Sequence, residues 1–134
     1  MTADGQERRR SLVLAPQAAA VRQARSLVKE ACLAAGTDQL TCDAAVLLTS
    51  ETVTNAFVHG RSEARLEVAA LPDSVFVEVG DDNSRHPTSP TRDADALDGR
   101  GLEIVRMLAA RWGVRDEMFG KIVWFEVRTD HPVR

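Results

Sequence analysis

The stretch Ala64–Asp81, ARLEVAALPDSVFVEVGD, decides the architecture. In its first half Leu66 and Val68 alternate with charged or small neighbours, and in its second half Val75, Val77 and Val79 keep the same spacing. Side chains along a strand point to opposite faces in turn, so each half predicts a strand with one buried face. Pro72-Asp73 between them is a turn signal, which makes the pair an antiparallel hairpin. A sheet built from hairpins, with one apolar face, needs a second layer to cover that face.

The covering layer is written upstream. In PQAAAVRQARSLVKEACLAAG (Pro16–Gly36), Val21, Ala24, Val28, Ala31 and Ala35 recur at gaps of three and four, which predicts an amphipathic helix stopped at Gly36. A second helix is predicted to begin between Thr37 and Thr41 and to run to about Val58, with Val46, Val53 and Phe57 on its core face and Gly60 as its stop. SLVLAP (Ser11–Pro16) reads as a first strand.

Downstream, residues 82–98 hold two prolines and few large apolar side chains, a loop of about 17 residues. Loops of that length inside a compact domain are uncommon and often serve as functional lids. GRGLEIVRMLAARWG (Gly99–Gly113) opens on glycines and continues as a helix, with Leu102, Val105, Leu108 and Ala109 as its buried stripe. WGVRDE and KIVWFEVRT read as a second hairpin turning at Met118–Gly120. The predicted order is βααββαββ: an α+β two-layer sandwich, its sheet mixed but mostly antiparallel, with the helices on one face. Residues 1–10 read as a flexible tail and 11–130 as a single domain.

The totals narrow the function. The chain has 134 residues, 44% of them hydrophobic, enough for one domain with one core. A net charge of -3, two Trp, four Phe and no Tyr argue against direct nucleic-acid binding, which favours basic surfaces and aromatic platforms. Cys32 and Cys42 both fall in helical patterns and read as small, reduced core residues, with no CxxC or Cys/His cluster to suggest zinc. No apolar run approaches the roughly 20 residues of a membrane span. The absence of a signal-type segment places the expected location in the cytoplasm.

Three clusters carry chemistry. SETVTNAFVHG (Ser50–Gly60) puts Glu51, Asn55 and His59 four residues apart, hence on one helical face. Asn55 offers a neutral oxygen suited to a hard cation such as Mg²⁺, and Glu51 one turn earlier could serve as a general base. The same stripe also reads as a solvated face or an internal polar network, and His59 as a helix-end residue. Asp81, at the end of the second strand, could accept a hydrogen bond from an exocyclic amine or simply open a turn. Gly99 and Gly101 in GRGLEIV let backbone amides approach a phosphate at a helix N-terminus, and Arg100 could reach the same phosphate or point to water.

Taken in order, LLTSETVTNAFVHG, VFVEVGDDNSRHP, GRGLEIVRMLAARWGV and GKIVWFEV resemble the four boxes of the GHKL (Bergerat-fold) ATPase superfamily. More narrowly they resemble its anti-sigma-factor serine/threonine kinase branch. The resemblance covers roughly residues 11–128. It implies Asn55 as the Mg²⁺ ligand, Glu51 as the catalytic base and Asp81 as the partner of the adenine amino group. It implies Gly99, Arg100, Gly101 and Leu102 as the phosphate-side segment, with ATP and Mg²⁺ as cofactors. The implied activity is phosphoryl transfer to Ser or Thr of a STAS-type anti-anti-sigma partner, alternating with capture of a sigma factor. The implied assembly is a homodimer, and the alternative is a non-catalytic, ATP-gated binding module. The chain departs from the superfamily in three places. Asp81-Asp82-Asn83-Ser84-Arg85 lacks the glycines of DxGxG. His86-Pro87 and Pro90 stiffen the lid. Many relatives carry a Thr in the last box that supports the adenine contact, whereas this chain has GKIVWF, with Ile122 and no Thr between Gly120 and Phe125.

Overall fold

A computed structural model describes residues 9–60 (side chains through Val58), 63–81, 107–117 and 120–129. Its elements are β1 (Arg9–Leu14), α1 (Ala18–Ala35), α2 (Gln39–Gly60), β2 (Ala64–Leu71), β3 (Ser74–Asp81), β4 (Arg111–Glu117) and β5 (Gly120–Arg128). The five strands form one sheet in the order β1-β2-β3-β5-β4, and all four pairings are antiparallel. The two helices pack against it, α1 over β1 and β2 and α2 over β3 and β5. The chain is an α+β sandwich of one sheet and one helical layer, as the alternating strands and three-four-spaced helices predict.

The alternation in the central hairpin translates directly into two faces. Ala64, Leu66, Val68 and Ala70 of β2 are buried, as are Val75, Val77 and Val79 of β3 and Val123, Phe125 and Val127 of β5. The register places these residues opposite one another, with Val68 beside Val77, Val77 beside Phe125 and Val79 beside Val123. The core closes over this row with Ala20, Ala24, Val28 and Ala31 from α1 and Ala45, Leu48 and Val53 from α2. The other face carries cross-strand charge pairs, Arg9–Glu67 at 2.9 Å, Arg115–Glu78 at 3.2 Å and Arg111–Glu126 at 2.8 Å. Exposed pairs of this kind contribute little stability. They do explain why the strands alternate apolar and charged residues.

Three expectations shift at their edges. The first strand begins at Arg9, not Ser11, because β2 extends far enough to pair Arg9 with Ala69 and Arg10 with Val68. Two residues assigned to a tail are therefore part of the sheet edge. Along α2 the most buried side turns out to be Ala45, Leu48, Thr49, Thr52 and Val53, while Val46 and Phe57 flank it only partly buried. Apolar residues fall on both sides of this helix, with Leu40, Leu47 and Val58 exposed, so periodicity alone could not centre the face. Strand β4 starts one residue before Trp112 and β5 one residue before Lys121. The predicted lid (82–98) and most of the glycine-led helix fall outside the described residues. Within that helix, Met107 and Leu108 are helical and Ala109 is buried.

The stop signal at the end of α1 works as predicted. Gly36 adopts φ 72°, ψ 30°, the left-handed conformation that suits glycine at a helix end. Its N–H donates to the carbonyl of Leu33 at 3.3 Å and the next N–H, Thr37, to that of Cys32 at 2.9 Å. The start of α2 is fastened to one edge of the sandwich. The Thr37 hydroxyl donates to the Leu71 carbonyl at 2.7 Å, Asp38 N–H to the Pro72 carbonyl at 3.3 Å, and the Thr41 and Thr129 hydroxyls meet at 3.0 Å.

Candidate functional site

That fastened edge sets the site's position. Helix α2 and strand β3 both start there, at Gln39 and Ser74, and both run to the opposite edge. Asn55 lies 16 residues along the helix, about 24 Å at 1.5 Å per residue. Asp81 lies 7 residues along the strand, about 23 Å at 3.3 Å per residue. On these lengths Asn55 and Asp81 both fall toward the end of the sandwich where β3 finishes and β5 begins.

Both side chains are buried there, each with 5% relative exposure. Asp81 continues the odd-numbered row Val75, Val77, Val79, so its carboxylate is on the helix-facing side of the sheet. Its cross-strand neighbours are Ala64 and Lys121. Asn55 projects from α2, and its Nδ2 is fully buried with no hydrogen-bond partner among the described residues. A buried amide without a partner costs about 1–3 kcal/mol. Exchanging its nitrogen and oxygen would only move the deficit to the other atom. An orphaned polar group of this kind calls for a ligand that supplies the partner.

Glu51, one turn before Asn55, is half-buried and makes no hydrogen bond or ion pair with any described residue. Thr52 between them turns inward and satisfies itself by donating to the Leu48 carbonyl at 2.7 Å. Thr49, also fully buried, has an Oγ1 with no partner, but it lies among core residues closer to the start of the helix. The side chain of His59 falls outside the described residues, as do Gly99, Arg100, Gly101 and Leu102. The structure buries Asn55 and Asp81, one on the helix and one on the sheet, and sets Glu51 one turn from Asn55.

A further residue enters from β5. A Cβ on Gly120 would overlap the carbonyl oxygen of Asp81 and come within 3.2 Å of its Oδ1. Gly120 therefore lets the two strands close at the point where Asp81 is held. Only its place at the head of GKIVWF hinted at this role in the sequence. Gly120→Ala is expected to push Asp81 aside, to destabilise the fold by about 1–3 kcal/mol as other overpacked sites do, and to weaken nucleotide binding. Chemical denaturation together with nucleotide titration tests it, and an unchanged midpoint and affinity would refute the close fit.

The register locates one of the three departures. Ile122 pairs with Gly80, and its Cγ1 lies 3.3 Å from where a Cβ on Gly80 would stand. Gly80 and Ile122 share the face turned away from the helices, whereas Asp81 and Lys121 share the face turned toward them. The positions of this strand on Asp81's side are Lys121 and Val123, so no Thr stands on that side either and the departure remains.

The donor set suits a magnesium nucleotide. Mg²⁺ keeps several waters and is usually held by one or two protein oxygens together with substrate phosphates. Among the described residues no group of three His, Cys, Asp or Glu is placed to hold a metal ion by itself. A lone amide oxygen from Asn55 is the kind of single protein ligand such an arrangement uses. A buried carboxylate at Asp81 is an acceptor for an amine.

Residues 14–127 match the model of the histidine kinase-like ATPase domain, and the chain belongs to that family. No curated protein sequence matches it. Among solved structures it is similar to the RsbU and RsbW domains of Rv1364c from Mycobacterium tuberculosis, with a TM-score of 0.69 and 20% identity. That match covers 94% of this chain and 34% of the other, so the chain spans about a third of that protein's length. At this identity the likeness speaks for the fold.

Proposed function

We propose that this histidine kinase-like ATPase domain is an ATP-dependent serine/threonine protein kinase that doubles as an anti-sigma factor. It would phosphorylate a STAS-type anti-anti-sigma partner and, in its other state, hold a sigma factor. The observation that supports the nucleotide reading is the burial of two polar side chains, Asn55 late in α2 and Asp81 at the end of β3, the first with an amide nitrogen that has no partner among the described residues. The kinase reading adds Glu51, half-buried one turn before Asn55 and tied to no described cation.

Bound Mg-ATP supplies the transferable phosphoryl group, and phosphoryl transfer asks of a protein mainly positioning and charge stabilisation. In this reading Asn55 directs its amide oxygen at the cation and its N–H at a phosphate or water. Asp81 accepts a hydrogen bond from the adenine amino group, which fixes the base against the sheet. Backbone amides of Gly99, Arg100, Gly101 and Leu102 hold the phosphates, and Glu51 takes the proton of the attacking Ser or Thr hydroxyl. Residues 11–130 act as one domain, with the strand from Arg9 completing its edge, in a cytoplasmic homodimer. No helix among the described residues is long and apolar enough to cross a membrane.

Incubation with labelled ATP and candidate STAS-type proteins tests the proposal. Label on a partner Ser or Thr is the expected result. Nucleotide binding with no transfer to any such partner would overturn the kinase reading in favour of an ATP-gated binding module.

A further inference from the structure

The departure in the last box leaves a lysine beside the carboxylate. Lys121 pairs with Asp81 across β3 and β5 and with Asp116 across β5 and β4, while Ala64 is the neighbour of Asp81 on β2. The adjacent row, Arg65, Gly80 and Ile122, faces away from the helices: a Cβ on Gly80 would lie 3.3 Å from Ile122 Cγ1 and 3.6 Å from Arg65 Nη2. Period-two geometry therefore turns the row Ala64, Asp81, Lys121 and Asp116 toward the helices. Directly opposed side chains in such a pair have Cβ atoms about 4.5–5.5 Å apart. Ala64 contributes only a methyl group, so Lys121 is the one hydrogen-bond donor among the side chains that flank Asp81 across the strands. It is half-buried and makes no hydrogen bond or ion pair with a described residue, not even with Asp81 or Asp116.

We propose that Lys121 is a base-reading residue: its ammonium donates to N1 of the adenine ring while Asp81 accepts from the amino group beside it. The assignment rests on the nucleotide reading above. Adenine presents a donor, the amino group on C6, next to an acceptor, N1, which is the more basic of the two ring nitrogens nearest that amino group. A carboxylate and an ammonium side by side present the complementary pattern. Both contacts are charge-assisted, which makes them the stronger kind of hydrogen bond. Guanine seated with its ribose the same way inverts both contacts. Its O6 would face the Asp81 carboxylate and its N1–H would face the Lys121 ammonium. Polar groups left unpaired in this way are what a hydrogen-bonding site rejects most strongly. A threonine hydroxyl can donate or accept, whereas an ammonium only donates. The lysine therefore narrows the choice of base where a hydroxyl would leave it open.

Lys121→Met keeps an unbranched stem and removes all three donors. The fold is expected to stay intact, because Lys121 holds no described residue in place. Affinity for ATP should fall at least about 5-fold, the low end of what one good base contact discriminates, and the preference for ATP over GTP should narrow.

Calorimetric titration of the full chain with Mg²⁺ and ATP, 1-deaza-ATP, 7-deaza-ATP or GTP, in the parent and in Lys121→Met, is the test. The parent is expected to bind 1-deaza-ATP, which carries a C–H in place of N1, at least about 5-fold more weakly than ATP, and 7-deaza-ATP as well as ATP. In Lys121→Met, ATP and 1-deaza-ATP should bind alike and GTP should be rejected less. The proposal is overturned if the parent binds ATP and 1-deaza-ATP alike, a comparison that needs no variant. It is overturned too if Lys121→Met weakens both by the same factor, which would make the lysine a general positive charge, or if 7-deaza-ATP carries the loss. Parental binding of none of the four nucleotides would overturn the nucleotide reading and this assignment with it. ATP binding that is insensitive to N1 would remove the assignment alone and leave that reading standing.

Discussion

An Asn55→Ala variant is expected to keep its fold and to lose Mg-ATP binding by at least roughly 100-fold, the upper end of what removing even an outer-shell partner costs a metal site. The two halves of that expectation have separate causes. In the free protein Asn55 is a liability, since its Nδ2 is buried and unpartnered. Truncation removes that penalty of about 1–3 kcal/mol while leaving a small cavity, which costs in the opposite direction. The unliganded unfolding free energy should therefore stay within about 1 kcal/mol of the parent's. In the complex the same truncation removes the only side-chain oxygen that α2 offers the cation in this reading. Calorimetric titration with Mg-ATP, paired with urea denaturation of the free proteins, separates the effects. Parental affinity in the variant would remove Asn55 from the nucleotide site. A variant that binds poorly because it unfolds would make Asn55 a structural residue.

The second large effect falls on the reaction and not on binding. Glu51→Gln should leave Mg-ATP affinity within a few-fold of the parent and lower phosphoryl transfer by about 10²–10⁴, the usual worth of a positioned general base. The substitution is nearly isosteric and Glu51 makes no ion pair with a described residue, so little else changes. Single-turnover transfer from labelled ATP to the partner, at saturating nucleotide, is the informative measurement. Transfer at the parental rate would sink the assignment of Glu51 as the base and leave the metal site standing. Loss of both binding and transfer would instead mean that Glu51 helps hold the cation.

How much of this could be read beforehand follows from what each signal depends on. Strands β2 and β3 were legible to the residue because alternation and a Pro-Asp turn are local properties. Asn55 and Asp81 were legible as candidates because polar groups at the end of apolar runs are conspicuous. The orphaned nitrogen of Asn55 was not, because it depends on which atoms surround it. On the core face of α2, Val53 was placed correctly and Val46 and Phe57 lie at its margin, because Thr49 and Thr52 are polar yet lie inside. Thr52 can do so only by bonding its own helix at Leu48. The side of the sheet taken by Ile122 needed the register of β5 on β3, and the close approach of Gly120 to Asp81 needed the two strand ends set side by side. Neither is written in any window of neighbouring residues.

The fit of Gly120 against Asp81 has a consequence for how such a chain can vary. The strand pairing that begins there puts Lys121, Val123, Phe125 and Val127 on one face and Ile122, Trp124 and Glu126 on the other. Period-two geometry means that a single residue inserted between Gly120 and Val123 would turn every later side chain to the wrong face, burying Trp124 and Glu126 and exposing Phe125. Length changes are tolerable in the turn before Gly120 and beyond Arg128, but not between. This strand is therefore expected to diverge by exchange of residues at fixed spacing, and descendants of this chain should keep the distance from Gly120 to Phe125 even where little else in the strand survives.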